Sequence, residues 1–176
     1  MKIGPLPRQL DLRNLAARGV EISGVVSPTD VTRLLAAGMA LAEPARAQFR
    51  FSRDEEARYV VEAHIQASVL MQCQRCLGEM RQALETRSRM ACVWRDEDAA
   101  DLPADYEPLI CGESVDLGEI AEDEILLALP VSPLHAEDCA TAEQLAALKA
   151  QGDADNVAEP AEQKANPFAV LGQLKS

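Results

Sequence analysis

The chain has 176 residues, a net charge of -12 and only 3% aromatic residues. That length suits one domain with a moderate core, which Leu, Val, Ile, Met and Ala must fill. No apolar run approaches the roughly 20 residues of a membrane-spanning helix, and five cysteines at irregular spacing do not read as an extracellular disulfide framework.

The charge is unevenly placed. Residues 1–95 carry 14 Lys/Arg against 10 Asp/Glu, whereas residues 96–176 carry 3 against 19. The first part can approach phosphate and the second repels it. MKIGPLPRQLDLRNL is broken by prolines and charges and does not read as a secretory signal, so the expected location is the cytoplasm.

In chain order, residues 5–26 read as irregular and extended. SPTDVTRLLAAGMAL predicts a helix with Ser27 as N-cap, Pro28 in the first turn and Val31, Leu34 and Leu35 as its apolar stripe. A strand is expected around Gln48–Phe51, and the charged stretch Asp54–Arg58 suits a hairpin loop. From residue 59 the period is two. Tyr59, Val61, Ala63, Ile65, Ala67, Val69, Met71 and Cys73 face one way, and Glu62, His64, Gln66, Ser68 and Gln72 the other. MRQALETRSRMACVW repeats the pattern, with Met80, Leu84, Met90, Cys92 and Trp94 opposite Arg81, Glu85, Arg87 and Arg89. Residues 48–95 are therefore expected to form an antiparallel meander with CQRC at a hairpin tip.

Residues 96–115 read as acidic loop with one strand near Leu109–Cys111. DLGEIAEDEILLALP predicts a helix capped by Asp116 and ended before Pro130, its segment Ile125–Leu129 deep in the core. Glu122-Asp123-Glu124 reads as a wet face complementing the helix dipole, except that Glu124 falls on the apolar stripe and needs an arginine from the sheet. A third short helix is expected from Thr141 to about Ala150. Residues 151–165 read as a disordered acidic linker. In NPFAVLGQLK, Phe168, Leu171 and Leu174 share a face suited to docking on a partner. The fold class expected is α+β: an antiparallel sheet flanked by helices over residues 1–150, then a flexible acidic tail comprising the linker and the docking segment 166–176.

Cys73-x-x-Cys76 poses the main chemical question. A redox pair would sit at a helix N-terminus, but these flanks are strands. Zinc needs two more soft or imidazole ligands. The chain has two histidines; His64 lies on the polar face of a strand, while His135 stands in PLHAEDCA, four residues before Cys139. Cys73, Cys76, His135 and Cys139 thus form a candidate zinc set. The plainer alternative makes the first two small apolar residues of a turn and His135 an exposed polar side chain. Arg75, Arg81, Arg87 and Arg89 can follow a phosphate backbone or simply form a solvated face with Glu79 and Glu85. No Gly-rich phosphate loop, G-x-S-x-G elbow or nucleophile–histidine pairing is present, so the expectation is a protein that is not an enzyme.

CQRC at 73–76, DYEPL at 105–109, AEDEILLALPVSPLH at 121–135 with Cys139 behind it, and NPFAVLGQLK at 166–175 together resemble the YceD family of large-subunit (23S) ribosomal RNA accumulation proteins. LPRQLDLRNLA and SPTDVTRLLA also fit, so the resemblance spans nearly the whole chain. It implies a cytoplasmic, non-enzymatic ribosome biogenesis factor needed for 23S ribosomal RNA accumulation or processing. Its expected partners are ribosomal RNA, the pre-50S particle or a basic ribosomal protein, with no membrane and no small-molecule substrate. The alternative is a protein-binding adaptor acting through the acidic half and the NPFAVL segment. All four candidate zinc ligands lie inside the matching blocks; Cys92 and Cys111 lie outside and read as ordinary buried thiols.

Overall fold

The apolar–polar alternation over residues 45–93 folds into strands whose inward residues are buried and whose outward residues meet solvent. The computed structural model describes residues 4–112 and 114–139. In order these are α1 (Leu12–Arg18), β1 (Glu21–Val26), α2 (Thr32–Ala36), β2 (Ala40–Leu41), β3 (Ala45–Arg53), β4 (Tyr59–Gln72), β5 (Glu79–Val93), a 3-10 turn (Asp96–Asp101), β6 (Glu107–Ile110) and α3 (Leu117–Leu127). The chain divides into two compact units, Met1–Ala136 and Glu137–Ser176. The expected helix at 141–150, linker at 151–165 and segment at 166–176, with Phe168, Leu171 and Leu174, lie outside the described residues.

The strands form one mixed sheet in the order β1-β3-β4-β5-β6, with β2 pairing β4 off this path. Its centre, β3-β4-β5, is the expected antiparallel meander, and β6 joins the far edge in parallel to β5. Phe49, Phe51, Val61, Ile65 and Val69 point inward and are at most 1% exposed. Burying each such side chain is worth about 1.5–3 kcal/mol. Arg46, Gln48 and Arg50 of β3 and Arg81, Glu85, Arg87 and Arg89 of β5 point outward and stay exposed. Among the described residues no helix is long and apolar enough to cross a membrane.

The N-terminal expectations need correction. Residues 5–26 are not merely extended: LRNLAAR forms α1, and EISGVV pairs with β3 as β1. Asp11 caps α1 by accepting the Arg13 and Asn14 N–H groups at 3.0 and 3.3 Å, and Gly19 ends it in the left-handed region at φ 61. The next helix starts four residues later than expected, its N-cap position at Val31 and not at Ser27. Ser27 and Thr29 hydroxyls bond each other at 2.9 Å and Asp30 N–H returns to the Ser27 carbonyl at 3.0 Å, so residues 27–30 make a turn instead of a first helical turn. Val31 and Leu34 are fully buried, but Leu35 is 44% exposed.

α3 also departs from expectation. Ile125 is buried, yet Leu127 is 78% exposed, so the end of the helix does not sink into the core. Glu122, expected on a wet face, is 3% exposed. Its carboxylate accepts the backbone N–H groups of Arg33 and Leu34 at 2.7 and 3.0 Å and the Arg33 guanidinium at 3.2 Å. It therefore caps α2, whose own N-cap residue, Val31, has no side-chain donor or acceptor. Arg33 also bonds Asp123 and the Glu119 carbonyl. Contrary to expectation, no arginine among the described residues pairs with Glu124; the Thr86 hydroxyl donates to that carboxylate at 3.3 Å instead.

Candidate functional site

The β4–β5 ladder ends at the Gln72–Glu79 pair, leaving Cys73–Gly78 to reverse the chain. Cys73 N–H donates to the Gly78 carbonyl and Leu77 N–H to the Cys73 carbonyl, both at 2.9 Å. Arg75 N–H points at Cys73 Sγ from 3.5 Å. A donor aimed at sulfur favours the thiolate, which is the metal-binding form. Leu77 completes the reversal in the left-handed region, φ 60, at a cost of about 1–2 kcal/mol for a residue with a Cβ. The tip holds this strained turn because contacts on both sides fix it.

One set of contacts comes from the loop after α3. Gln74 N–H donates to the Pro133 carbonyl at 2.8 Å, and the Arg75 guanidinium to the His135 carbonyl at 3.1 Å. The ring of His135 spans two partners: Nε2 lies 3.2 Å from the Glu79 carbonyl and Nδ1 lies 3.4 Å from Cys76 Sγ. A carbonyl oxygen only accepts, so Nε2 carries a proton, and in the neutral imidazole Nδ1 turns its lone pair toward the sulfur. That is the arrangement of a metal-ligating imidazole whose far nitrogen is held by a backbone carbonyl.

The ligand atoms of Cys73, Cys76, His135 and Cys139 all lie within 4.8 Å of one another. Cys73 is buried and the other three are half-buried. Zinc bonds of about 2.3 Å to sulfur and 2.0 Å to nitrogen, in tetrahedral geometry, set ligands roughly 3.5–3.8 Å apart. The set therefore closes on an ion with small side-chain rotations. Three thiolates and one imidazole suit zinc and disfavour the hard cations magnesium and calcium. Four protein ligands complete the tetrahedron, which is the structural form of such a site. The positive charge of Arg75 partly offsets the excess negative charge that three thiolates would leave.

The other candidate residues divide. Arg75 is half-buried and tied into the tip, whereas Arg81, Arg87 and Arg89 stand exposed along the outer face of β5. Arg46 and Arg50 of β3 share that face and were missed by the sequence reading, although the alternation in ARAQFRF signals them. Several of these arginines have acidic neighbours. Arg87 meets Glu85 at 3.3 Å, Arg50 meets Glu21 at 2.8 Å, and Arg89 lies between Glu62 and Asp105 and over the Tyr106 ring. The hydrogen bond from His64, then that from Arg87, holds the Glu85 carboxyl below its usual range. Such exposed pairs are worth at most about 1 kcal/mol, so a phosphate displaces them cheaply. Arg46 and Arg81 make no ion pair among the described residues. Glu21, Arg50, Glu62, His64, Arg87 and Arg89 line a shallow depression of about 640 Å³.

Fold and site together define an α+β protein with a Cys/His cluster at a hairpin tip and an open, two-signed sheet face. A family model described as "Large ribosomal RNA subunit accumulation protein YceD" matches residues 61–175. The Large ribosomal RNA subunit accumulation protein YceD of Haemophilus influenzae is 31% identical over 173 residues, covering 97% of this chain and 96% of that protein. The chain belongs to the YceD family. No solved structure matches it.

Proposed function

We propose that the protein is a ribosome biogenesis factor, acting by binding and not by catalysis, that is required for accumulation of 23S ribosomal RNA in the cytoplasm. Its family membership supports the role. The binding mode we infer is contact between pre-ribosomal RNA and the outer face of the sheet. One observation carries it: Arg46, Arg50, Arg81, Arg87 and Arg89 stand exposed on a single face, on two strands joined by β4. Phosphates spaced along a backbone meet such a face through several contacts at once. A zinc ion held by Cys73, Cys76, His135 and Cys139 would fix the hairpin tip and keep Arg75 engaged with His135.

Binding to pre-ribosomal RNA, followed by fluorescence anisotropy across a salt series, tests this. Changing Arg81, Arg87 and Arg89 together to Ala is expected to lower the salt slope by about 2–3, at roughly 0.9 per phosphate contact. Unchanged affinity and slope in the triple variant would remove the sheet face from the interface.

A further inference from the structure

Cys92 and Cys111 look unrelated in the sequence, yet their sulfurs lie 2.8 Å apart. Cys92 sits on β5 opposite Leu109 of β6, and Cys111 follows the end of β6, where its N–H donates to the Val93 carbonyl at 2.8 Å. The strand pairing thus turns a separation of 19 residues into side-chain contact. Both side chains are buried, at 9% and 4% exposure. Cys111 Sγ also lies 3.3 Å from the Leu109 carbonyl. Two sulfurs alone do not make a zinc shell, but sulfurs this close need move less than an ångström to reach bonding distance.

The two thiols are not equivalent. The hydrogen bond from Cys92 holds the Cys111 thiol below its ordinary range against the effect of burial, with a smaller contribution from the charge of Arg13. The same bond, together with burial, pushes Cys92 up. One sulfur is therefore the better nucleophile and the other is poised to follow. A cleft of about 540 Å³, lined by Leu12, Arg13, Trp94 and Gly112, brings solvent to the residue after Cys111 and to within two residues of Cys92. Hydrogen peroxide is little larger than the water that fills such a cleft.

We propose that Cys92 and Cys111 form a reversible disulfide on exposure to hydroperoxide, fastening the four-residue edge strand β6 to β5. The Cys111 thiolate attacks one peroxide oxygen; the S–O bond forms, the O–O bond breaks, and the departing oxygen takes a proton and leaves as water. The Cys92 sulfur then gives up its proton and attacks the resulting sulfenic sulfur, forming the S–S bond and releasing a second water. Two thiols lose two electrons in all, and one hydrogen peroxide becomes two waters. A low-molecular-weight thiol reverses the bond by exchange.

The test treats the full chain as purified with graded hydrogen peroxide, alkylates it in denaturant without reduction, and maps its peptides after cleavage by trypsin and a glutamate-specific protease. The expected product links the Cys92 peptide to the Cys111 peptide, disappears on reduction, and exceeds singly oxidised forms of either residue at least tenfold. Cys92→Ser is expected to abolish the link and to let Cys111 proceed to sulfinic acid. Cys92 and Cys111 alkylated singly at doses that already oxidise Cys73 or Cys76 would overturn the proposal. So would sulfinic acid at Cys111 in the unaltered chain without a link. The unaltered chain decides the matter by itself if the variant does not fold.

Discussion

Two pairs of cysteines meet in this protein, and their surroundings send them to different chemistry. At the hairpin tip, Cys73 and Cys76 have an imidazole nitrogen, a backbone N–H aimed at sulfur and a third thiol within reach. Along the β5–β6 edge, Cys92 and Cys111 have each other, a carbonyl and the more distant charge of Arg13. The first set can complete a tetrahedron and the second can only close on itself. Residue type does not separate these roles; the partners supplied by the fold do.

The carboxylates of α3 repeat the contrast. Glu122 and Glu124 are both buried, at 3% and 5% exposure, and stand two residues apart. Glu122 satisfies two backbone N–H groups and an arginine, so its charge is compensated. Glu124 has the Thr86 hydroxyl, and burial pushes its carboxyl above the usual carboxylate range.

The largest expected effect is on metal. Cys76→Ser should take bound zinc, measured by elemental analysis of purified protein, from about one per chain to none, while Cys111→Ser should leave it at one. Equal loss in both would erase the distinction between the pairs. Next comes Glu122→Ala, which strands the Arg33 and Leu34 N–H groups; urea unfolding should show a loss of about 2–4 kcal/mol. Arg75→Ala keeps all four ligands but frees the His135 carbonyl, and competition with a chelator should show zinc affinity falling about tenfold.

The smallest effect concerns Glu124. Its folded pKa is raised, so the unfolded chain gives up this proton first. The group then subtracts stability as pH rises from the unfolded value near 4.3 to the folded value, and the loss is constant above that. Glu124→Gln should flatten stability across this window and gain under about 1 kcal/mol at neutral pH, read from urea midpoints at several pH values. A variant that keeps the wild-type slope would place the titration on another group.

Much of the central sheet was legible because alternation with period two is a local signal and β4 and β5 sustain it for 14 and 15 residues. The Cys/His cluster was legible by scarcity: with His64 on a polar strand face, only His135 stood near another cysteine. α1 carried its signals too, in Asp11 and Gly19 on either side of LRNLAAR, but nearby prolines argued for extended chain. What could not be read were the long-range partners. Cys92 and Cys111 meet only because β6 joins β5 in parallel at one register. Glu122 reaches an N-terminal segment 89 residues away, which no periodicity in either segment announces.

That last contact also has a bearing on how the protein is made. A helix of five residues does not sustain itself in water, and α2 depends for its first turn on a side chain in the middle of α3. At about 5–20 residues per second, roughly 5–20 s of translation separate Arg33 from Glu122. Through that interval the nascent N-terminal segment must wait, its Val31 and Leu34 without the helix that finally holds them, until the whole of the sheet has left the ribosome.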